Sequence, residues 1–312
     1  MITLQRVAIV GATGATGIHL TRELLGRGVA VRVVSRRRDN LNRVFATFDV
    51  DRVAADATDA VALRAAVSGC DAVMDCIGLP AERMADHALT AAAIAAAIRA
   101  SGARCLHVSS FWSFLPVVRL PLDEGHPRYG GNAFIAARRA AEDTLLAAGA
   151  AVIHLPDFFG PHVAASTHQG PLADAVAGRA MNWIGSADLE REAVFVPDAM
   201  RLAADLLQRN EAYGQSWVFP GGGPLTARRL AAIAGRHLGR PVRVRAAGPL
   251  ALRLVALFSP GLRSFLPMLP HYTKPIRFNA GKLRSLLGDV ALTPYEEAVP
   301  ATLDWLRERA GA

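Results

Sequence analysis

Val7-Ala-Ile-Val-Gly-Ala-Thr-Gly-Ala-Thr-Gly17 decides the fold of this chain, because it leads from a short apolar strand through a glycine-rich turn towards a helix. The apolar run predicts a buried strand, and the residues that follow the glycines have helical periodicity. The first glycine permits the tight turn, the second lets the backbone approach a phosphate, and the third lets the helix pack on the strand. The helix N-terminus then presents free N–H groups to an anion. We therefore predict that a dinucleotide pyrophosphate is held by Gly11, Thr13, Gly14, Ala15, Thr16 and Gly17.

The composition indicates an ordered globular protein, with 52% hydrophobic and 20% charged residues among 312. The formal net charge is +8, but the basic residues are scattered and residues 36–38 form their only run. Nucleic acid is therefore not a predicted partner, and an anionic cofactor accounts for part of the charge. The three cysteines have the spacing of neither a zinc site nor a disulfide framework, so we predict buried free thiols and no metal.

Residues 250–269 are apolar over a length that could span a membrane. Arg253, Pro260, Arg263 and Pro267 interrupt the stretch, which argues against a transmembrane helix. Three interpretations stay open for it: a lid over an apolar substrate, packed core, or a membrane-facing patch. The chain begins without a basic and apolar signal segment, so we predict a cytoplasmic location. We also expect a monomer or homodimer and no membrane partner.

The second strand, at residues 29–34, ends at Ser35 and Arg36. In dinucleotide-binding folds that prefer NAD, an acidic residue about 20 residues past the glycines binds the ribose 2′-hydroxyl. This chain instead has a hydroxyl and a guanidinium, which suit a 2′-phosphate. We predict that Ser35 and Arg36 favour NADP(H) over NAD(H); a solvated basic loop is the alternative.

Further strands alternate with helices and predict an α/β fold with a doubly wound parallel Rossmann sheet. The strands are expected at residues 52–55, 72–78, 105–110 and 151–155, and the helices at 60–67, 81–100 and 133–148. Ligands bind at the carboxyl ends of such strands. The predicted cofactor residues at these ends are Asp56, Ala57, Cys76, Ile77 and Gly78. Asp56 could accept a hydrogen bond from an adenine amino group or cap its own loop.

Beyond residue 156 the pattern is less regular. We expect a helix at 199–208 capped by Asp198, a strand at 216–219, a helix that Thr226 caps, a strand at 242–244 and a helix at 293–309. Residues 1–156 are predicted to form an NAD(P)-binding Rossmann lobe. Residues 157–312 are predicted to form mainly a smaller substrate-binding lobe, with segments around 193–220 returning to the first lobe.

Several motifs carry a family resemblance: Gly11-Ala-Thr-Gly-Ala-Thr-Gly17, Asp56-Ala-Thr-Asp59, Val108-Ser-Ser110, Asp157-Phe-Phe-Gly-Pro161 and Phe195-Val-Pro-Asp198. Together they resemble those of the extended and atypical short-chain dehydrogenase/reductases, which include nucleotide-sugar epimerases, dehydratases and flavonoid reductases. The resemblance covers most of the chain. It implies a Rossmann lobe, a dinucleotide cofactor and a small-molecule substrate bound by a variable C-terminal lobe.

The chain departs from that family at the active-site helix, which usually carries Tyr-x-x-x-Lys followed four residues later by an acidic residue. Alignment on Glu142 puts Arg138 at the lysine position and Phe134 at the tyrosine position. Phenylalanine has no proton to give, and arginine stays protonated. By the resemblance, Arg138 can still hold the nicotinamide ribose. The candidates for proton transfer are then Ser109, Ser110, Tyr129, His126, Asp157 and His162.

Two functions of different class follow. The first is an NADP(H)-dependent oxidoreductase or epimerase/dehydratase-like enzyme acting on a small organic substrate, with Ser109, Ser110, Tyr129 and Arg138 as catalytic residues. The second is a non-catalytic NADP-binding redox sensor or subunit, which the loss of the Tyr and Lys residues suggests.

Overall fold

Seven parallel strands form the central sheet in the computed structural model, which describes residues 2–79, 83–84, 86–259, 263, 265–288 and 290–311. Their order across the sheet is β10-β6-β5-β4-β1-β2-β3. In chain order these strands are β1 (Arg6–Val10), β2 (Ala30–Ser35), β3 (Asp51–Ala54), β4 (Ala72–Asp75), β5 (Arg104–Ser110), β6 (Ala151–Leu155) and β10 (Ser216–Val218). The predicted doubly wound Rossmann sheet is confirmed.

Helices cover both faces of this sheet, and the central strands are accordingly apolar on both faces. The helices of this part are α1 (Ala15–Gly26), α2 (Arg38–Val44), α3 (Ala60–Val67), α4 (Asp86–Ser101), α5 (Ala133–Ala147) and α7 (Val196–Leu207). Helix α1 packs against α7 on one face, while α3, α4 and α5 pack side by side on the other. β1 lies between β2 and β4, so the chain reverses its winding direction at the end of β1. Ligands of open α/β sheets bind at such a reversal.

The C-terminal part adds two small parallel pairs beside the sheet, β7 with β9 and β8 with β11. Its elements are β7 (Asp157–Phe159), α6 (Gln169–Val176), β8 (Met181–Ile184), β9 (Ala193–Phe195), α8 (Ala227–Leu238), β11 (Val244–Ala247), α9 (Pro249–Ala256), α10 (Gly281–Leu287) and α11 (Tyr295–Ala310). Short 3₁₀ helices occur at Phe111–Phe114, Asn210–Ala212 and Leu266–Thr273. The proposed lobe boundary at residue 156 stays a prediction, although β10 and α7 do pack with the central sheet.

The helix predicted at residues 199–208 begins earlier than expected, at Val196. Pro197 lies in its first turn, where the missing N–H costs nothing, and this proline was the overlooked signal for the helix start. The prediction that Asp198 caps the helix is therefore wrong. Its carboxylate instead accepts hydrogen bonds from the Thr293 backbone N (2.7 Å) and hydroxyl (3.1 Å).

Two strand predictions also need correction. The strand expected at 72–78 ends at Asp75, because the Asp75 carboxylate accepts a hydrogen bond from the Ile77 N–H (3.0 Å) and turns the chain. The strand expected at 242–244 lies at Val244–Ala247. Positions 81, 82 and 85 of the helix expected at 81–100 lie outside the described residues. The cap predicted at Thr226 is confirmed, and Asp59 caps α3 by accepting hydrogen bonds from the Val61 and Ala62 N–H groups.

Cys70, Cys76 and Cys105 are free and buried. Among the helices that the structure describes, none is long and apolar enough to cross a bilayer. Within the same described ranges, no group of three His, Cys, Asp or Glu side chains could hold a metal ion.

Candidate functional site

The three glycines of the turn after β1 meet different steric demands. Gly11 has φ +77°, and a Cβ atom there would lie 2.9 Å from the Cys76 carbonyl. A Cβ atom on Gly17 would lie 2.5 Å from the Ala12 Cα atom, so α1 could not approach β1 as closely with any other residue. Gly14 differs, because the nearest atom to a Cβ there is the Gly11 oxygen at 3.6 Å. The fold therefore requires Gly11 and Gly17, whereas Gly14 faces open space.

The glycine-rich turn is fastened to the end of β2. The Gly11 and Ala12 N–H groups both donate to the Val34 carbonyl, at 3.0 and 3.2 Å. The hydroxyls of Thr13 and Ser35 lie 3.4 Å apart. The predicted pyrophosphate turn and the predicted 2′-phosphate residues thus form one connected structure.

A cavity of about 690 Å³ opens at the carboxyl ends of β1 to β4. Ligand pockets typically measure about 300–1,000 Å³. The predicted cofactor residues in its wall are Gly11, Thr13, Gly14, Ala15, Thr16, Ser35, Arg36, Asp56, Ala57, Cys76, Ile77 and Gly78. Gly17 lies behind the turn, against Ala12. The described wall does not include the four predicted catalytic residues, Ser109, Ser110, Tyr129 and Arg138.

The wall also contains residues that the sequence pattern did not predict: Leu79, Arg83, Thr90, Phe158 and residues 163–165. Residues 158–165 follow β6 and reach the cavity only because the C-terminal part folds back across it, which no local pattern reveals. His162, named only as a proton-transfer candidate, also lies in the wall and has φ +66°. Burial lowers the pKa of His162 to about 4, with Arg22 contributing, so it is neutral at neutral pH.

Arg36 is exposed at the cavity rim and forms no ion pair with any described residue. Asp56 lies close enough to Arg36 for the two charges to interact. The Thr58 backbone N–H donates to the Asp56 carboxylate (2.9 Å), and this bond, assisted by Arg36, lowers the pKa of Asp56. The loop-cap role of Asp56 is thus visible in the structure, while its role towards adenine stays a prediction.

Ser109 lies in a buried polar cluster around Glu142, and not in the cavity wall. The fully buried Glu142 carboxylate accepts hydrogen bonds from the Ser109 and Ser113 hydroxyls, from Arg128 Nη2 (2.8 Å) and from His154 Nε2 (3.2 Å). Burial alone would raise the pKa of Glu142, but His154 and the two serine hydroxyls lower it to about 2. Glu142 is therefore an anion that ties α5 to β5 and β6.

The other predicted proton donors have separate surroundings. Ser110 caps the 3₁₀ helix at Phe111–Phe114 by accepting a hydrogen bond from the Trp112 N–H (3.3 Å). Tyr129 is exposed on a loop. His126 is buried and bonds only to backbone, at Val118 N (3.1 Å) and Pro127 O (2.9 Å). Within the part of the chain that the structure describes, no hydrogen bond links these three side chains.

Phe134 and Arg138 lie one turn apart on α5. The Phe134 ring packs against Trp112, with centroids 5.5 Å apart, so the position of the family tyrosine belongs to an aromatic cluster. Arg138 is half-buried, and its buried Nε has no partner among the described residues. Burial lowers the pKa of Arg138, and the nearby Glu142 opposes that effect. Arg138 thus retains unused donor capacity.

A second polar chain runs from Trp112 into the C-terminal part. Trp112 Nε1 donates to the Tyr272 hydroxyl (2.9 Å), which donates to the Asp157 carboxylate (3.1 Å). Burial raises the pKa values of Tyr272 and Asp157. Asp157 was a predicted proton-transfer candidate, but Tyr272 was missed. The two lie far apart in sequence, so only tertiary packing brings them together.

We expect Glu142→Gln to destabilise the fold by about 3 kcal/mol at pH 7, because it removes the buried anion that Arg128 and His154 contact. The folded pKa of about 2 is below the ordinary value of 4.5, so this stabilisation is present above pH 4.5 and is lost as the pH falls from 4.5 towards 2. Urea unfolding of both proteins at several pH values measures the difference.

Asp143→Asn is the matched control, since Asp143 is exposed and pairs with the same Arg128 (2.9 Å). It should change the free energy of unfolding by less than about 1 kcal/mol. Equal stability of Glu142→Gln and the unmodified protein at pH 7 would contradict the assigned role of Glu142.

The sheet and its cavity define the class of this chain, which is an NAD(P)-binding Rossmann protein. Residues 11–151 match the model of the NAD(P)H-binding family. The whole chain shares its fold with solved epimerase structures.

Two kinds of relative illustrate the likeness. A ceramide reductase from Caulobacter vibrioides is 32% identical over 162 residues, which is 50% of this chain and 47% of the reductase. The chain therefore matches about half the length of this curated relative. An epimerase from Methanothermobacter thermautotrophicus has a TM-score of 0.83 at 16% identity, covering 98% of this chain and 93% of that one. UDP-glucose 4-epimerase from Bifidobacterium longum, in complex with NAD+ and UDP, has a TM-score of 0.79 at 16% identity, covering 98% and 99%. These structures share the fold.

Proposed function

We propose that this chain is an NADP(H)-dependent oxidoreductase that acts on the carbonyl group of a small, apolar organic substrate. The proposal is carried by the observation that the glycine-rich turn, Ser35 and Arg36 all line the same cavity. A bound NADPH supplies a hydride to a carbonyl carbon. Similarity to a protein named as a reductase favours reduction over epimerisation.

The wall of the cavity fits a dinucleotide with an extra phosphate. Open space at Gly14, beside the N-terminus of α1, leaves room for a pyrophosphate against free N–H groups. Arg36 has no anionic partner among the described residues and is free to pair with a 2′-phosphate, while Ser35 offers a hydroxyl. On this proposal Arg138 holds the nicotinamide ribose with its unused donors.

The aromatic cluster around Phe134 supports an apolar substrate. Trp112 lies 5.5 Å from Phe134 and 6.3 Å from Phe265 between ring centroids, and Met268 packs in the same cluster. These residues come from the strand-end segment, α5 and the C-terminal part, where a substrate would meet the nicotinamide. For proton transfer we propose Ser110, Tyr129 and the Asp157–Tyr272 pair, because the Ser109 hydroxyl donates to Glu142.

We expect NADPH to bind more tightly than NADH, and Arg36→Ala to remove most of that preference. One charge-assisted hydrogen bond contributes about 1.5–3 kcal/mol, or roughly ten- to a hundredfold in affinity. Titrations of each cofactor, followed by calorimetry, measure the ratio. Arg37→Ala is the control, because Arg37 is also exposed but is not among the residues that line the cavity. Equal affinities of the unmodified protein for both cofactors would refute the preference.

Activity is tested by following NADPH oxidation with a panel of aldehydes and ketones of increasing chain length, together with a binding titration. Turnover that rises with chain length supports the proposal. NADPH binding without turnover on any carbonyl favours the second candidate, a non-catalytic NADP-binding redox sensor or subunit. The observation behind that candidate is that Phe134 and Arg138 replace the family's proton donor and its lysine.

A further inference from the structure

Helix α9 and the residues just after it carry an unusual concentration of exposed apolar side chains. Leu250, Leu254, Leu257 and Phe258 are 76%, 65%, 63% and 89% exposed, and we call these four residues the apolar patch. They are four of the nine large hydrophobic side chains exposed in the described chain, and they lie within nine residues. Scattered exposed hydrophobics are normal on soluble proteins, whereas clusters mark interaction sites.

The patch spans one face of α9 and the turn that follows it. Leu250 and Leu254 are four residues apart on α9, a spacing that places both side chains on one helical face, whereas Leu257 and Phe258 lie in the following turn. On the other side Leu252 and Ala256 are buried, and α9 packs against β11 and the 3₁₀ helix at Leu266–Thr273. The inner face is therefore already partnered, whereas the patch is exposed.

Acidic residues are absent from the sequence around the patch. Residues 212–288 contain twelve arginines and lysines and no aspartate or glutamate, so the rest of the chain has 23 basic and 27 acidic residues. The positive net charge of the protein thus comes entirely from this segment. The basic residues are scattered along the sequence, so this asymmetry arises from the uneven distribution of the acidic ones.

Several of these cations are exposed on the elements next to the patch. They are Arg243 and Arg245 around the start of β11, Arg253 on α9, Arg263 and Lys274. None of them forms an ion pair with a residue in the described part of the chain. Arg263 donates to the Ala256 (3.2 Å) and Leu257 (2.7 Å) carbonyls, which holds its charge at the C-terminal end of α9, beside the patch.

We propose that this face docks on an anionic phospholipid bilayer. The four apolar side chains would enter the boundary between headgroups and acyl chains, and the surrounding arginines and Lys274 would contact lipid phosphates. A surface helix that exposes leucines, followed by an exposed phenylalanine and with arginines nearby, has the chemistry of such membrane-binding segments. Of the three interpretations of residues 250–269, this proposal favours the membrane-facing patch. It differs from our expectation that a membrane is not a partner.

A second copy of this chain fits the patch less well. Symmetric dimers bring the same surface of both copies together. Such contact would place the exposed arginines of the two copies against each other, and like charges in an interface oppose association. An anionic surface satisfies both the apolar and the cationic groups of this face.

Docking would also bring the bilayer close to the aromatic cluster. The 3₁₀ helix that supports α9 carries Met268 and Tyr272, and Tyr272 is hydrogen-bonded to Trp112. An apolar substrate dissolved in the membrane would then have a short route to the site. This last step rests on the proposed function, whereas the docking itself does not.

Sedimentation of the full chain with vesicles tests the docking. Vesicles of phosphatidylcholine alone are compared with vesicles that also contain phosphatidylglycerol, at low and high salt. We expect binding to the anionic vesicles that weakens with salt. The double substitution Leu254→Asp with Phe258→Asp should lower the partition coefficient at least about tenfold, because it removes two side chains that bury apolar surface.

Val61→Asp is the matched control, because Val61 is 77% exposed on α3, outside the patch, and this variant should bind vesicles normally. Thermal unfolding checks that each variant is folded. If the double variant does not fold, Arg253→Glu provides the same test at an exposed residue, and we expect weaker binding to anionic vesicles. NADPH affinity of the unmodified chain is measured without vesicles. If this chain does not bind NADPH, the proposed function is refuted, and the result of the vesicle experiment is unaffected.

Three results would overturn the docking. The first is that the unmodified chain does not sediment with anionic vesicles. The second is that the patch variants sediment as well as the unmodified chain does. The third is that the patch variants change the oligomeric state in analytical ultracentrifugation while vesicle binding is unaltered, which would assign the patch to a second copy of the chain.

Discussion

Replacing Gly14 with valine is expected to lower NADPH affinity at least about a hundredfold in a protein that stays folded. Gly14 has φ −81° and ψ 167°, an extended conformation that valine adopts readily. Among the described residues, the one atom found near its Cβ position is the Gly11 oxygen at 3.6 Å, so the described part of the fold has room for the new side chain. The same space is where the pyrophosphate would lie. Calorimetric titration of the variant with NADPH measures the loss.

Gly17→Ala is the informative comparison, because its single added methyl group would lie 2.5 Å from Ala12 backbone atoms. Overpacking of this kind costs about 1–3 kcal/mol, so the variant should unfold at lower temperature. The two glycines would thus separate a binding defect from a folding defect. A folded Gly14→Val protein with unchanged NADPH affinity would refute the assignment of this turn to the pyrophosphate.

The combined substitution Phe134→Tyr with Arg138→Lys is expected to raise carbonyl reductase activity by about 10²–10⁴-fold, the usual contribution of general acid catalysis. It restores a phenol and an ammonium one turn apart on α5. Arg138→Lys also removes the buried Nε that has no partner among the described residues. The measurement is kcat/KM for NADPH oxidation with the best carbonyl substrate of the unmodified protein.

The single substitutions are the controls for this prediction. Tyrosine without the lysine keeps an unsuitably high pKa, and lysine without the tyrosine has no phenol to activate, so each alone should change the rate little. A folded double variant that binds NADPH and gains nothing would show that proton transfer uses other groups. Tyr272→Phe and Asp157→Asn would then be the next substitutions to measure.

The first half of the fold could be predicted because its signals are local. An apolar run, a glycine turn and a helical pattern recur along the chain, and strands buried on both faces have no competing periodicity. The errors arose where one side chain decides the boundary. Asp75 turns the chain after β4 through its own carboxylate, and Pro197 starts α7 before the acidic residue taken as its cap.

The candidate site was predicted unevenly for a related reason. Residues at strand ends share one sheet edge by topology, so Ser35 and Cys76 were placed in one cavity from their position alone. The hydrogen bond of Ser109 could not be predicted in the same way, because it depends on the packing of α5 against β5. That packing brings Glu142 within hydrogen-bond distance of the Ser109 hydroxyl. Alignment had named Glu142 only as a marker, and its burial with four donors was not visible in the sequence.

The attachment of the glycine-rich turn to the end of β2 has a consequence for protein engineering. The Gly11 and Ala12 N–H groups both donate to the carbonyl of Val34, the residue immediately before Ser35 and Arg36. Residues that share hydrogen-bonded partners do not contribute additively to an affinity. An attempt to convert the cofactor preference by exchanging residues 35 and 36 alone would therefore also shift the turn next to them. Redesign would need to treat both segments as one unit, selected together in a combined library.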